Sequence, residues 1–314
     1  MTYKTLSASI IYVNEDMTNQ RIDNFLKKKF HSIPISMIYR IIRKGQVRIN
    51  KKRIQPNYKL KIGDHIKIPS IKILIEEKKH MYINDYEKHS LNNILYEDNY
   101  LLIINKPSGI AVHGGSGINF GIIEYLRNVR VLDKFLELVH RIDRDTSGIL
   151  IVAKNRASLT SMHQQIREKK IKKEYIALVH GLWPHNLKKI SKPLLKIHLK
   201  NKQKKMLIHD NGKSADTYFK IKKQYSSATL LSIYPITGRT HQIRAHTAHA
   251  GHPILFDKRY GNSDLDQLIQ NKIQSHRLLL HAISIHFTHP QNGNILHIKA
   301  PLDMNIRNFL QTLV

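Results

Sequence analysis

The sequence predicts an α+β fold in two parts, a small N-terminal module and a larger C-terminal domain. Three observations carry this. Between residues 20 and 70 the apolar residues first keep helical spacing and then break into short extended pieces. A polar stretch without any period follows, over residues 71–92. From residue 93 to 314, apolar strand-like runs and short helical stretches do not alternate strictly, which favours α+β over a doubly wound α/β sheet. No internal repeat of roughly 20–50 residues is present.

In the first module, Ile22, Phe25 and Leu26 stand at i, i+3 and i+4, the spacing of a short amphipathic helix. Ser36 is the candidate cap of a second helix, whose apolar stripe is Ile38, Ile41 and Ile42. Arg40, Arg43 and Lys44 fall off that stripe, towards solvent. Gly45 is placed to stop the helix. Val47-Arg48-Ile49 is extended, and a second extended piece follows Asn50-Lys51-Lys52. Gly63-Asp64 marks a turn before His65-Ile66-Lys67-Ile68. Two helices with a basic face, followed by hairpins, suit an RNA groove; a solvated lysine-rich face is the plainer alternative. Glu76-Glu77-Lys78-Lys79 and Asn84-Asp85-Tyr86-Glu87-Lys88 give residues 71–92 the character of a linker. The domain over residues 93–314 carries Leu101-Leu102-Ile103-Ile104 and Gly148-Ile149-Leu150-Ile151-Val152 as its clearest strands.

Composition narrows the function. Hydrophobic residues make up 41% of the 314, enough for a core. The chain has no cysteine, so disulfides, thiolate zinc sites and a cysteine nucleophile are excluded, and a reducing cytoplasm is the compatible compartment. The formal net charge is +29. Such an excess suits a polyanion, with nucleic acid first and anionic membrane second. Richness in Lys, Ile and Asn means that compositional drift contributes to that charge. No apolar run is long enough to span a bilayer, and Met1-Thr2-Tyr3-Lys4 begins no signal peptide.

The densest polar segment lies between Leu138 and Lys154. Asp143 sits there between Arg141 and Arg144, just before an apolar strand, where rigid catalytic side chains are often mounted. A neighbouring cation favours the ionised carboxylate. From the residues alone, an aspartate that caps a turn through Thr146 or Ser147 is the favoured reading. Ser147 with His140 suggests a hydrolase, but there is no G-x-S-x-G elbow. His241, His246, His249 and His252 cluster without H-E-x-x-H, and Asp257 is the only nearby carboxylate, so no metal is expected. Gly114-Gly115-Ser116-Gly117 lacks the Lys-Ser/Thr ending of a phosphate-binding loop.

Two resemblances add to this reading. Arg21 through Leu26, Ser36, Arg40-Ile41-Ile42, Gly45, Val47, Ile49-Asn50 and Gly63-Asp64 resemble the S4 RNA-binding domain. That family grips folded RNA through shape and phosphates. His140-Arg141-Ile142-Asp143-x-x-Thr146-Ser147-Gly148 resembles the signature H-R-L-D-x-x-T-S-G of the RluA-type pseudouridine synthases, with Ile142 in place of leucine. Asn105-Lys106-Pro107-Ser108-Gly109, Lys173-Glu174-Tyr175, Thr237 through Arg244, Gly251-His252-Pro253-Ile254 and Asp257-x-x-Tyr260-Gly261 recur in that family's order. The likeness covers nearly the whole chain.

The resemblance implies isomerisation of uridines in large-subunit (23S) ribosomal RNA, without cofactor or metal. It implies Asp143, not Asp145, as the catalytic carboxylate and Arg244 as its ion-pair partner. It also implies Tyr175 as the aromatic face against the base, Arg141 as the group filling the space of the extruded nucleotide, and Ile243 as a pocket wall. Arg40, Arg43, Lys44, Arg239 and His241 are the further expected RNA contacts. No protein partner is implied, and a monomer suits a bulky RNA substrate. The alternatives are a non-catalytic RNA-binding or ribosome-assembly protein, and a sister synthase acting on other rRNA or tRNA uridines.

Overall fold

The computed structural model describes residues 2–30, 33–75, 93–114, 121–198, 204–270, 277–302 and 304–312. The chain divides into two compact units, Met1–Tyr82 and Ile83–Val314.

In the first unit, strands β1 (Thr2–Leu6) and β2 (Ser9–Tyr12) precede helices α1 (Ile22–Lys29) and α2 (Ile35–Arg43). Strands β3 (Arg48–Ile49), β4 (Lys52–Arg53), β5 (His65–Ile68) and β6 (Ile71–Ile75) follow. Four of them form a sheet in the order β2-β5-β3-β4, and β1 pairs with β6. The expected stripes are buried: Ile22, Phe25 and Leu26 of α1 meet Ile38, Ile41 and Ile42 of α2 over Val47, Ile49 and Ile66. Arg40, Arg43 and Lys44 are exposed.

Two expectations are corrected here. Ser36 lies inside the first turn of α2, which starts at Ile35 behind Pro34 with no side-chain cap. The fixed φ of proline presets the entry to the helix, which begins one residue ahead of Ser36. Residues 71–75, placed in the linker, are strand β6; their alternating Ile-Lys-Ile-Leu-Ile pattern has a partner in β1, which the short N-terminal segment hid. The rest of the expected linker lies outside the described residues.

Polar hubs lock this unit. Asp23, 1% exposed, accepts hydrogen bonds from Arg21 Nε and Nη2, from Tyr39 Oη and from the Asn24 amide. Asn50 and Lys51 both have positive φ (49° and 66°), as a two-residue type I′ turn between β3 and β4 requires.

The second unit holds β7 (Ile94–Glu97), β8 (Leu101–Lys106), α3 (Ile122–Val129), β9 (Glu137–Leu138), β10 (Ser147–Ala153) and α4 (Arg156–Arg167). There follow β11 (Lys172–His180), β12 (Lys189–Ser191), β13 (Leu194–His198), β14 (Lys204–Ile208), β15 (Asp216–Gln224), β16 (Ala228–Pro235) and α5 (Gln242–His249). The last elements are α6 (Ser263–Gln270), β17 (Leu280–Thr288), β18 (Ile295–Lys299) and α7 (Met304–Thr312). Among the described residues the main sheet runs β12-β15-β16-β11-β17-β10-β8-β7, with β18 on β17 and β9 on β10. Its pairings are antiparallel except β10 with β17. The α+β class and the mixed, largely antiparallel sheet therefore stand as expected.

Period-two alternation sets the layers. Leu102, Ile104, Leu150 and Val152 face α3, while Leu101, Ile103, Ile149 and Ile151 face α4. Both faces of β10 are covered, which is why it reads as one apolar run.

Gly148 is the second residue of β10 and pairs with Ala282 of β17. Its φ is +106°, and a Cβ there would lie 2.2 Å from the Ala282 carbonyl oxygen. Gly148→Ala therefore costs about 1–3 kcal/mol from backbone conformation alone, and the contact adds to it. A clear fall in the thermal midpoint is the expected result; an unchanged midpoint would refute this β10–β17 approach.

Candidate active site

The loop of residues 139–146 leaves β9 and returns to the start of β10, so its side chains sit at the mouth of a central strand. Three groups fix it. The His140 Nε2 atom accepts from the Ile151 amide at 3.2 Å, and burial pushes the imidazole down to about 3, so the ring is neutral. Ile142 is buried in the core beneath α3. Lys106, with no exposed surface, donates to the carbonyls of Pro107 (2.7 Å), Ile110 (2.9 Å) and Arg144 (2.9 Å). Burial pulls that lysine down to about 7, but three carbonyl acceptors use all three N–H bonds of an ammonium, and a neutral amine has only two. The Arg144 side chain returns a bond to the Gly109 carbonyl, and Ser108 binds the Asp145 carbonyl. The Asn105–Gly109 segment is thus a clamp on the Asp143 loop.

Asp143 meets α5. Arg244 is 5% exposed, and its Nη1 donates to Asp143 Oδ2 at 3.2 Å. The same guanidinium makes a shorter, bidentate pair with Asp257, at 2.7 Å for both bonds. The Asp257 carboxylate also accepts from the amides of Arg259 and Tyr260. Burial works against both charges, yet the pair wins: the Arg244 guanidinium is held above its ordinary value and the Asp257 carboxyl below it. Arg244 is therefore anchored by Asp257 and presents its remaining edge to Asp143. Asp257 needs Gly261 behind it, because a Cβ there would lie 2.4 Å from the Asp257 carbonyl oxygen.

The segment before α5 turns through His241, which has a left-handed φ of 50°. Gln242 braces it. Its Oε1 accepts from Thr237 and from the Arg239 amide, and its Nε2 donates to Asp216 and Thr217 of β15. His241 lies with its Nε2 3.8 Å from Asp143 Oδ2 and its Nδ1 2.9 Å from the Tyr260 hydroxyl. Burial pushes it down to about 4, so it is neutral near pH 7. The Tyr260 hydroxyl also accepts from the Met206 amide of β14, and its ring lies 5.2 Å from the Arg244 guanidinium.

Strand β11 supplies further lining of the same cleft. Tyr175 is half-buried at a register shift between Glu174 and Tyr175. Burial, then the charge of Asp143, raises its phenol well above the usual range, so the hydroxyl keeps its proton. An open cleft brings together Asp143, Tyr175, Arg244, His241, Ile243 and Lys173. Arg141 and Arg239 are exposed along its rim, and Arg239 Nε donates to the Ser214 carbonyl. Arg40, Arg43 and Lys44 belong to the first unit. Asp145 is 52% exposed at the side chain and pairs loosely with Arg144 at 3.7 Å.

The clustered histidines have separate tasks. His246 is buried between the Thr217 hydroxyl and the Lys192 carbonyl, and His252 Nδ1 meets the His180 carbonyl. No group of three metal-binding side chains occurs among the described residues. Gly115, Ser116 and Gly117 of the glycine loop lie outside them.

Asp257, Tyr260 and Lys173 were not singled out as site residues from sequence. The D-x-x-Y-G and K-x-Y spacings were the available signals. Neither says which way a side chain turns.

Residues 100–249 match the family described as RNA pseudouridylate synthase, and residues 20–66 match the S4 domain. The chain is 69% identical, over the full length of both, to "Ribosomal large subunit pseudouridine synthase C" of Buchnera aphidicola subsp. Schizaphis graminum. It is 48% identical to the protein of that name from Escherichia coli K12, over 100% of this chain and 99% of that one. Among solved structures it is similar in fold to "Human RNA Pseudouridylate Synthase Domain Containing 4". The TM-score is 0.58 at 23% identity, over 73% of this chain and 95% of that one.

Proposed function

The chain belongs to the RNA pseudouridylate synthase family, and from that premise we propose that it isomerises specific uridines of large-subunit ribosomal RNA, with Asp143 as the catalytic carboxylate. The observation that carries the assignment of Asp143 is its position in the cleft, held by an arginine that a second, buried carboxylate anchors.

The reaction breaks the N1–C1′ bond, turns the uracil and joins C5 to C1′. Nothing is oxidised, and no group enters or leaves. One placed carboxylate serves either route, by attack on C1′ or by removal of the C2′ proton. Arg244 orients it. Tyr175 offers the uracil an aromatic face, and its raised phenol acts as a neutral hydroxyl rather than a phenolate base. The nucleotide must leave its stack, at a cost of a few kcal/mol. Arg141, exposed at the rim, is suited to fill the vacated space. A purely RNA-binding role accounts for the basic surface but not for a carboxylate inside the cleft.

The test is to incubate unmodified 23S rRNA transcript with the purified protein and map pseudouridines. Formation at a few discrete positions is expected. No pseudouridine in the transcript or in partly assembled large-subunit precursor would refute the proposal.

The exposed face of α2 is the proposed grip on the RNA backbone. Replacing Arg40, Arg43 and Lys44 together by Ala is expected to weaken rRNA binding at all sites alike. It should also flatten the dependence of log K on log salt by about 2 to 3, a little under one per lost phosphate contact. An unchanged salt slope would remove these residues from the interface.

A further inference from the structure

We propose that Lys173 is a further catalytic residue, which donates a hydrogen bond to the uracil as that base takes up negative charge on leaving its ribose. This rests on the uridine isomerisation proposed above.

Lys173 stands two residues before Tyr175 on β11 and lines the same cleft as Asp143. A Cβ built on Gly238 would lie 3.9 Å from its Nζ, so the ammonium spans from β11 towards the loop of residues 237–241. It is half-buried, and it makes no hydrogen bond or ion pair among the described residues. Of the other cations, Arg244 is engaged by carboxylates, Lys106 by carbonyls and Arg239 by the Ser214 carbonyl, while Arg141 is exposed at the rim. The adjacent Glu174 makes no ion pair with Lys173; its Oε1 accepts from the hydroxyls of Ser232 and Tyr234. Burial lowers the lysine below its ordinary value, and its charge helps to keep His140 neutral. A partly desolvated ammonium without a protein partner is costly unless a ligand supplies the acceptor.

The chemistry supplies one. When N1–C1′ breaks, the bonding pair leaves with N1, and the uracil becomes an anion with its charge shared over O2 and O4. The sugar is completed by an oxygen of Asp143 at C1′, or by a C1′–C2′ double bond once Asp143 has taken the C2′ proton. The uracil then turns, and a pair from C5 forms the new bond to C1′. Asp143 departs as carboxylate, or returns its proton to C2′. C5 loses its proton and N1 gains one, so the product is an isomer of the substrate. Lys173 transfers no proton. It stabilises the charged, detached base within the cleft, and a donor aimed at developing charge lowers the barrier to bond breaking.

Lys173→Met and Lys173→Arg separate this role from a structural one. Single-turnover cleavage of the target's N1–C1′ bond is measured at saturating protein on RNA carrying either uridine or 5-fluorouridine, because the fluorinated C5 has no proton to lose and only this step is common to both bases. The fluorine already stabilises the departing anion. Lys173→Met is expected to slow cleavage at uridine about 100-fold, to leave RNA affinity unchanged, and to lose distinctly less with 5-fluorouridine. Lys173→Arg should keep most of the rate. The ratio between the two bases is taken within one preparation, so a partly misfolded variant does not alter it. Equal losses on both bases, no loss at all, or a loss confined to RNA affinity would overturn the role of Lys173 while leaving the isomerase intact. A wild type that cleaves neither base would overturn the isomerase reading and this inference with it.

Discussion

Asp143→Asn is expected to lower single-turnover isomerisation by about 10⁴-fold or more, the scale seen when a group that acts on the reacting bond is removed. The amide has nearly the carboxylate's shape. It cannot bond to C1′ as a carboxylate does, and it cannot accept the C2′ proton. The fold should survive, since Arg244 keeps its bidentate pair with Asp257 and finds an amide oxygen where Asp143 Oδ2 stood. RNA affinity should also survive, because one half-buried acid contributes nothing favourable to phosphate binding. Asp145→Asn is the control: that side chain is exposed and holds only a loose pair with Arg144. Filter binding and nuclease digestion on the same preparations read both effects. Conversion by Asp143→Asn at a rate near the wild type would end the assignment.

The second large effect is at Arg244. Arg244→Met leaves the Asp257 carboxylate, fully buried at the side chain, without its cation. Breaking a buried pair in this way costs about 3–5 kcal/mol, read as a drop in the urea midpoint. Activity should fall as well, since Asp143 loses the group that orients it. The double variant Arg244→Met with Asp257→Leu removes the orphaned charge. It should recover much of the stability and none of the activity, which separates the structural half of the pair from the catalytic half. Linkage gives a second reading. The Asp257 carboxyl is held below its ordinary value of 3.8, so its contribution to stability is complete above that pH and is lost as pH falls through the folded value. The stability gap between the wild type and Asp257→Asn should therefore narrow in acid. A single variant Arg244→Met as stable as the wild type would contradict this wiring.

The fold was legible where periodicity was strong. Ile38, Ile41 and Ile42 marked one face of α2, and the apolar run after Gly148 marked a strand covered on both faces. Gly148 itself is intelligible only once β17 is seen beside it. Local rules misjudged Ser36, because the helix starts one residue earlier, directly after Pro34. They missed the pairing of residues 2–6 with 71–75, because strand partners far apart in sequence leave no local trace. The site was legible as motifs and less so as wiring. Arg244 was tied to Asp143 through the resemblance, but its shorter bonds go to Asp257. His241, expected to contact RNA, forms the wall of the cleft beside Asp143. Lys106 had no reading as a clamp, because its acceptors are backbone carbonyls, which no sequence displays.

The most direct test of the central claim uses E. coli cells lacking their relative of 48% identity. Pseudouridines in their 23S rRNA are mapped after expression of this chain or of its Asp143→Asn variant. The account predicts that the wild-type chain restores the uridine isomerisations lost with the relative, and that the variant, at equal abundance, restores none. Restoration by the variant, or failure of the soluble wild-type chain to restore any position, would contradict it.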